Sequence, residues 1–246
     1  MDLKEAAILG DSLDSHWYYT SKGRALLQML NGVRGDSVLD VGAGSGVFAR
    51  QLLDAGVCRR AVCVDTRYPN ERVERYNDGE IRFTPKANGV EADIILMMDV
   101  LEHVDDDVGL LEDYAKNLRA DDRLVITVPA FQFLWSGHDE FLEHRRRYTR
   151  RQLESVVRAA NLEPMNSGYF FGLLFPIAAV QRLIDRWLLG KRLAEPRSLL
   201  SVQSRALNTA LIALHDLERR FVFPFNRIGG LSVFCVARRL PSGPNG

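Results

Sequence analysis

Apolar residues in this chain fall into short runs, separated by stretches in which they recur every three or four positions. Ser37–Val41, Ala61–Val64, Ala92–Met98 and Arg123–Val128 are runs of the first kind, and Ile81–Thr84 is a weaker one. Runs that are apolar on both faces predict strands covered on both sides. Trp17–Leu30 is of the second kind, with Leu26, Leu27 and Leu30 at helical intervals and Asn31-Gly32 as a stop. Val47–Leu53 gives another helix that ends near Gly56. Strands alternating with helices predict an α/β fold, a doubly wound and mostly parallel sheet.

Beyond Tyr148 the pattern changes. Thr149 can cap a helix over Arg150–Ala160, Glu163–Tyr169 reads as a strand, and Leu231–Ala237 is a clear last one, which makes seven strands. Residues 170–230 hold Pro176, Pro196 and Pro224 and two amphipathic stretches, Ile177–Leu189 and Leu199–Phe221. They are expected to be a helical insertion before the last strand of a single domain over 1–246, with Pro241–Gly246 a loose tail. Composition agrees: 246 residues with 46% hydrophobic and 26% charged side chains supply a globular core. Lys+Arg and Asp+Glu both number 32, so no nucleic-acid partner is expected. Cys58, Cys63 and Cys235 show neither CxxC nor zinc-ligand spacing and read as reduced core thiols, and no metal is expected. The N-terminus carries acids early and lacks a signal pattern, and no apolar run reaches the ~18–20 residues of a membrane span. The expectation is a cytoplasmic protein.

The first strand runs into Gly42-Ala43-Gly44-Ser45-Gly46 and then a helix, so backbone N–H groups can approach a polar ligand without Cβ interference. The dinucleotide fingerprint would require glycine at 47, where this chain has Val47. Asp65 ends the second strand, where a carboxylate can accept both hydroxyls of a ribose. An adenosine-containing cofactor fits both facts. VLDVGAGSG, VCVDT and DIILMMDVLEHVDDD together resemble the successive motifs of class I S-adenosylmethionine-dependent methyltransferases, over about residues 15–165 and the final strand. The resemblance implies a Rossmann-like methyltransferase fold with S-adenosylmethionine as cofactor. It also implies that Gly42, Gly44 and Gly46 form the loop under the methionine part, with Asp40 supporting that loop. Asp65 would bind the ribose, and Asp99, Val100 and Leu101 would line the floor beneath the sulfonium. Where many relatives carry an acid at the third strand for adenine, this chain reads FTPKANGV, and a backbone contact near Ala87 or Asn88 is the substitute. His103 is read as a packing residue.

The fifth strand is followed by Val128-Pro129-Ala130 and a loop that concentrates His138, Asp139, His144 and Tyr148 with Arg145, Arg146, Arg147, Arg150 and Arg151. In a doubly wound sheet this loop faces the ligand. Methyl transfer is an in-line displacement, and a hydroxyl acceptor needs a base. His138 oriented by Asp139 is the first candidate and His144 the second; the alternative is that these residues only close the loop. The arginines suit a substrate phosphate or a solvated face. VPAFQFLWSGHDEFLEHRRRYT and HWYYTSK further resemble a group of these methyltransferases associated with polysaccharide and glycolipid assembly. That implies O-methylation of a glycolipid, a polyprenyl-linked sugar or a similar amphiphile, a small-molecule or lipid-linked acceptor. A quinone-like or other small aromatic acceptor is the alternative, and a non-catalytic regulatory protein that binds the cofactor is another. MMDVLEH lacks the (D/N)PP(Y/F/W) arrangement of nucleic-acid amino methylation. Residues 170–192 form a basic, aromatic, amphipathic segment that suits peripheral contact with the inner face of a membrane, a lid, or the contact of a homodimer.

Overall fold

The computed structural model describes residues 3–87, 89–189, 198 and 200–240. Its strands are β1 (Ser37–Val41), β2 (Arg60–Val64), β3 (Arg72–Tyr76), β4 (Gly79–Thr84), β5 (Ile94–Met98), β6 (Arg123–Pro129), β7 (Leu162–Phe170) and β8 (Ser232–Arg239). The helices are α1 (Leu3–Leu9), α2 (Trp17–Leu30), α3 (Val47–Asp54), α4 (Asp107–Ala115), α5 (Gly137–Phe141), α6 (Arg150–Ala159), α7 (Phe175–Leu189) and α8 (Arg205–Phe221).

All the strands join one sheet in the order β3-β4-β2-β1-β5-β6-β8-β7. β4, β2, β1, β5 and β6 run parallel, β8 lies antiparallel between β6 and β7, and β3 is antiparallel to β4. Alternation along the strands feeds two cores. Leu39, Ile95, Met97, Leu124 and Ile126 pack with Leu153 and Val157 of α6 on one face. Val38, Ile94, Leu96 and Val125 pack with Leu26 and Leu30 of α2 and Phe48 and Leu52 of α3 on the other. Both faces are covered, which is why the central strands are apolar without a break.

The eighth strand departs from the sequence expectation of seven. β3 forms a hairpin with β4 through Asn77-Asp78, Asn77 taking φ 51°. Arg72, Val73 and Arg75 are exposed, so this edge strand lacks the one-sided apolar alternation that makes a strand readable. The N-terminal α1 also went unforeseen. The two helices anticipated between the last two strands are α7 and α8. α8 begins at Arg205 rather than Leu199 because the Ser204 side chain caps it, accepting from the Leu207 N–H. Pro196 and Leu199 themselves lie outside the described residues, as does the Pro241–Gly246 tail. α8 packs on α2 through an Arg24–Asp216 ion pair and through Trp17, whose ring stacks on His215 at 5.4 Å.

Because β1 sits between β2 and β5, the connections diverge there and open a crevice at the carboxyl ends of the strands. Three chains leave the sheet beside it through residues in left-handed backbone: Asp99 (φ 57°), Phe131 (φ 58°) and Phe171 (φ 61°). Such conformations are costly for non-glycine residues and persist only where surrounding contacts impose them. Among the described residues no helix is long and apolar enough to cross a membrane. The three cysteines are unpaired and buried, and burial pushes the thiols up to about 11 at Cys58 and about 12 at Cys235, so they are unreactive core groups.

Candidate active site

The glycine turn after β1 is held open by close packing. Gly42 (φ 65°) leaves no room for a side chain, since a Cβ there would lie 2.8 Å from Val100 Cγ2. The β1 turn and the segment after β5 therefore touch through Val100. Asp65 accepts from the Gly44 N–H at 3.1 Å and from the Arg67 N–H at 3.0 Å, which fixes the carboxylate at the end of β2 while leaving it partly exposed. Asp40 differs: it is buried, and neither oxygen has a hydrogen-bond partner among the described residues. Burial pushes its carboxyl up to about 7. Leu101 is fully buried in the core, so its side chain anchors the segment. Ala87 packs at the edge of the same core, and Asn88 lies outside the described residues.

Asp99 is gripped from three sides. The Lys22 ammonium, fully buried on α2, pairs with Oδ2; Thr127 donates to Oδ1 at 3.1 Å; and the Tyr18 hydroxyl lies 3.4 Å from Oδ2 while accepting from Lys22 at 3.1 Å. Burial works against the charged form of Asp99, but Lys22 and Thr127 outweigh it and hold the carboxyl below its ordinary value. Lys22 thus ties α2 to the tip of β5.

The loop after β6 is clasped onto the segment after β5. Arg145 donates to the His103 carbonyl from Nε (2.8 Å) and to the Glu102 carbonyl from its backbone N–H (2.7 Å). Arg146 donates to the carbonyls of Val104 (3.0 Å) and Asp105 (2.9 Å), and the Tyr148 hydroxyl donates to Asp107 at 2.7 Å. Arg147 forks onto Asp139 at 2.6 and 2.9 Å, both side chains buried. Arg145 and Arg146 therefore fasten the two loops together, Arg145 from an exposed position, and the buried Arg147 fastens the loop after β6 to itself; Arg150 pairs with Glu154, and Arg151 is exposed.

Asp139 also accepts from the Ser136 N–H (2.8 Å) and hydroxyl (3.2 Å), and from His144 Nδ1 at 2.9 Å. Burial opposes its ionisation, yet the His144, Arg147 and Ser136 hydrogen bonds prevail and hold the carboxyl well below the usual carboxylate range. An ionised carboxylate only accepts, so His144 carries a hydrogen on Nδ1 and turns Nε2 away from Asp139. The sequence expectation is corrected here: Asp139 orients His144, whereas His138 Nε2 lies 3.6 Å from Glu5 Oε1 of α1. Burial lowers the His138 imidazole to about 4, so it is neutral near pH 7.

These groups surround a cavity of about 230 Å³, walled by Trp17, Tyr18 and Phe171 and floored by Asp99, Glu102, His103, His138 and His144. Tyr18 and Phe171 stack at 5.3 Å. Ala178, Gln181 and Arg182 of α7 close one side.

A family model for a methyltransferase domain matches residues 16–166. The chain belongs to the methyltransferase domain family. Over 123 residues it is 31% identical to the demethylmenaquinone methyltransferases of Tropheryma whipplei strains Twist and TW08/27, a stretch covering 46% of this chain and 48% of theirs. The chain thus spans about half the length of the curated relatives it matches. In structure it is similar, over 96% of its length, to an S-adenosylmethionine-dependent methyltransferase from Archaeoglobus fulgidus (98% of that chain, TM-score 0.54, 15% identical). Also over 96% it is similar to Haemonchus contortus phosphoethanolamine N-methyltransferase 2, solved with phosphomonomethylethanolamine and S-adenosylhomocysteine (56% of that chain, TM-score 0.53, 15% identical). At those identities the likeness is one of fold. The domain is a methyltransferase domain, and S-adenosylmethionine, the donor named for the Archaeoglobus fulgidus protein, is the cofactor against which its residues can be tested.

The residues present fit that cofactor. Its amino-acid end carries an ammonium group, and the Asp40 carboxylate is a buried acceptor that no described residue satisfies. The methyltransferase turn at Gly42 offers backbone in place of side chains, and Asp65 is positioned and partly open for a ribose. Lys22, Glu102, Arg147 and Glu5 were missed as site residues. Lys22 stands out in the sequence only as a lysine where the resembled group has arginine, while Glu5 lies on a helix too short to be read as one.

Two outcomes follow. Lys22→Met strands the Asp99 carboxylate and is expected to cost about 3 kcal/mol, a melting point lower by roughly 6–12 °C; adding Asp99→Asn should recover most of the loss. A single variant that melts like the wild type would show that the pair holds nothing. Asp40, with a folded pKa of about 7 against 3.8 in an open chain, keeps an extra proton in the folded state between those values, so its contribution to stability falls as pH rises through that window. Asp40→Asn is therefore expected to raise the melting point by several degrees, more at pH 8 than at pH 5, and to weaken S-adenosylmethionine binding measured by calorimetry at pH 8.

Proposed function

We propose that this protein methylates a hydroxyl oxygen of an amphiphilic acceptor, a glycolipid, polyprenyl-linked sugar or similar molecule, using S-adenosylmethionine. The observation that carries this reading is the aromatic-walled cavity at the strand ends, into which the His144–Asp139 pair and His138 present imidazoles. Bound S-adenosylmethionine supplies a methyl group on a sulfonium. Gly42, Gly44 and Gly46 hold the methionine part, with Asp40 facing its ammonium; Asp65 holds the ribose; Asp99 and Val100 form the floor and Leu101 anchors it. Held there, the cofactor would supply its methyl group to an acceptor oxygen and leave as the neutral thioether, while His144 Nε2 or His138 would take the hydroxyl proton. Trp17, Tyr18 and Phe171 exclude water and bind the apolar part of the acceptor.

α7 supports an acceptor taken from a lipid surface. Its inner face lines the cavity, while Ile177, Val180 and Ile184, spaced at i, i+3 and i+7, remain 67%, 57% and 50% exposed. Phe225 (80%) and Ile228 (92%) add apolar surface, next to Gly229, which packs against Phe175 at the start of α7. The side chains of Arg186, Trp187 and Leu188 lie outside the described residues. A quinone-like phenol is the second reading, favoured by the similarity to demethylmenaquinone methyltransferases and by the same aromatic walls.

Incubating lipid and polar extracts with the protein and methyl-deuterated S-adenosylmethionine, followed by untargeted mass spectrometry, tests the reading. A labelled glycolipid, lost in Asp65→Ala and reduced by about 100-fold or more in His144→Ala, is expected; a labelled phenol would move the acceptor to the second reading, and no labelled product despite tight cofactor binding would overturn both. Co-sedimentation with anionic vesicles should fall several-fold in Ile177→Glu/Val180→Glu. Absence of sedimentation at low salt, or a dimer in sedimentation velocity that the same substitutions dissociate, would replace the lipid surface by a protein contact.

A further inference from the structure

Glu102 is fully buried and lines the cavity, yet neither carboxylate oxygen has a hydrogen-bond partner among the described residues. A carboxylate so placed calls for a donor or a cation. His103 follows it directly, and the clasp between the two loops brings in His144, with the His103 and His144 rings 4.8 Å apart between centroids. One ligand atom from each of Glu102, His103 and His144 lies within 4.8 Å of the others. Two ligands held ~2.1 Å from one tetrahedral cation stand roughly 3.4 Å apart, so a shift of about an ångström in the side chains closes the set.

We propose that Glu102, His103 and His144 bind a divalent transition-metal cation, zinc or manganese, on the acceptor side of the cavity. Two imidazoles and one carboxylate suit such a cation better than magnesium, which prefers an all-oxygen shell. Three protein ligands leave coordination positions open, and an acceptor hydroxyl oxygen fills one of them. The surroundings are those of a metal ligand: His144 donates through Nδ1 to Asp139, which Arg147 and Ser136 hold in turn, so Nε2 is the coordinating atom. Residue 145 fixes the backbone at Glu102 and His103, so the two sides of the site are joined beside the third ligand. The cysteine spacing behind the expectation of no metal could not register ligands brought together from two loops.

This inference rests on the acceptor position proposed above and narrows it. Nε2 of His144 cannot be a ligand and a proton acceptor at once, so with the cation seated His138 is the imidazole left to take the hydroxyl proton. The test is metal binding itself. Full-length protein stripped with EDTA is titrated with zinc or manganese chloride in a calorimeter, and its metal content is measured after desalting. One equivalent is expected for the wild type, with affinity at least 10-fold weaker in Glu102→Gln and in His144→Gln, about 10–100-fold weaker in Asp139→Asn, and unchanged in Arg151→Ala. Melting curves without metal establish that each variant is folded, and a metal-dependent rise in melting point should appear in the wild type and vanish in Glu102→Gln. A folded wild type that retains no stoichiometric cation, or a Glu102→Gln protein that binds it as well, would overturn the proposal. Loss of methyl transfer in His144→Gln without any bound metal would also sink it while leaving the base reading intact. Metal bound in the expected pattern with no methylated acceptor would support the site and remove the acceptor reading instead.

Discussion

The gathering of carboxyl groups under the carboxyl ends of the strands is the constraint around which this molecule is organised. Asp40, Asp99, Glu102 and Asp139 reach the crevice from β1, the segment after β5 and the loop after β6, and all but the partly open Asp99 are buried. Buried carboxylates are tolerated only when paired or neutral. The chain supplies two cations from within: Lys22 for Asp99 and Arg147 for Asp139. Asp40 and Glu102 receive none. Burial instead pushes both carboxyls up, towards the neutral form.

The same pairs impose mechanical order. Lys22 links α2, and with it Trp17 and Tyr18, to the tip of β5, while Arg145, Arg146 and Tyr148 lock the loop after β6 to residues 101–107. Left-handed backbone at Asp99, Phe131 and Phe171 turns three strands sharply over the crevice, and these contacts keep those turns in place. The glycine turn, the loop after β6 and the aromatic wall are consequently joined to one another. A substitution at a fastener such as Arg147 would disturb both sides of the site without touching a ligand.

Much of this was legible in the sequence, and the limits have physical causes. α2 and β1 coincide with their predicted spans because their apolar periodicity is decided by burial in the sheet domain. The glycine turn, Asp65 and Asp99 announce themselves at strand ends, where backbone geometry leaves little choice of residue. β3 escaped because an exposed edge carries no one-sided pattern. His138 and Asp139 are adjacent in the chain, and adjacency invited the wrong partnership: on the short α5 neighbouring side chains diverge, so Asp139 meets His144 across the turn while His138 faces Glu5. Glu102 was not singled out in the sequence, because the absence of a partner is a three-dimensional property that no spacing encodes.

The size of the cavity bears on what can enter it. About 230 Å³ is less than the ~300–1,000 Å³ of pockets that enclose a drug-sized ligand whole. An acceptor larger than a few rings must therefore insert one end and leave the rest outside. The inserted end meets imidazoles and carboxylates at the floor, and aromatic rings along the walls, so a polar group carried on an apolar body is the shape that matches both. α7, which closes one side of the cavity, has an outer face that is apolar at Ile177, Val180 and Ile184. Free in water, that face costs solvation with no return from burial. Under the proposed reading, a surface from which the acceptor's tail projects would cover this apolar side while the reacting end sits over the strand ends, so that one element would serve both binding and acceptor selection.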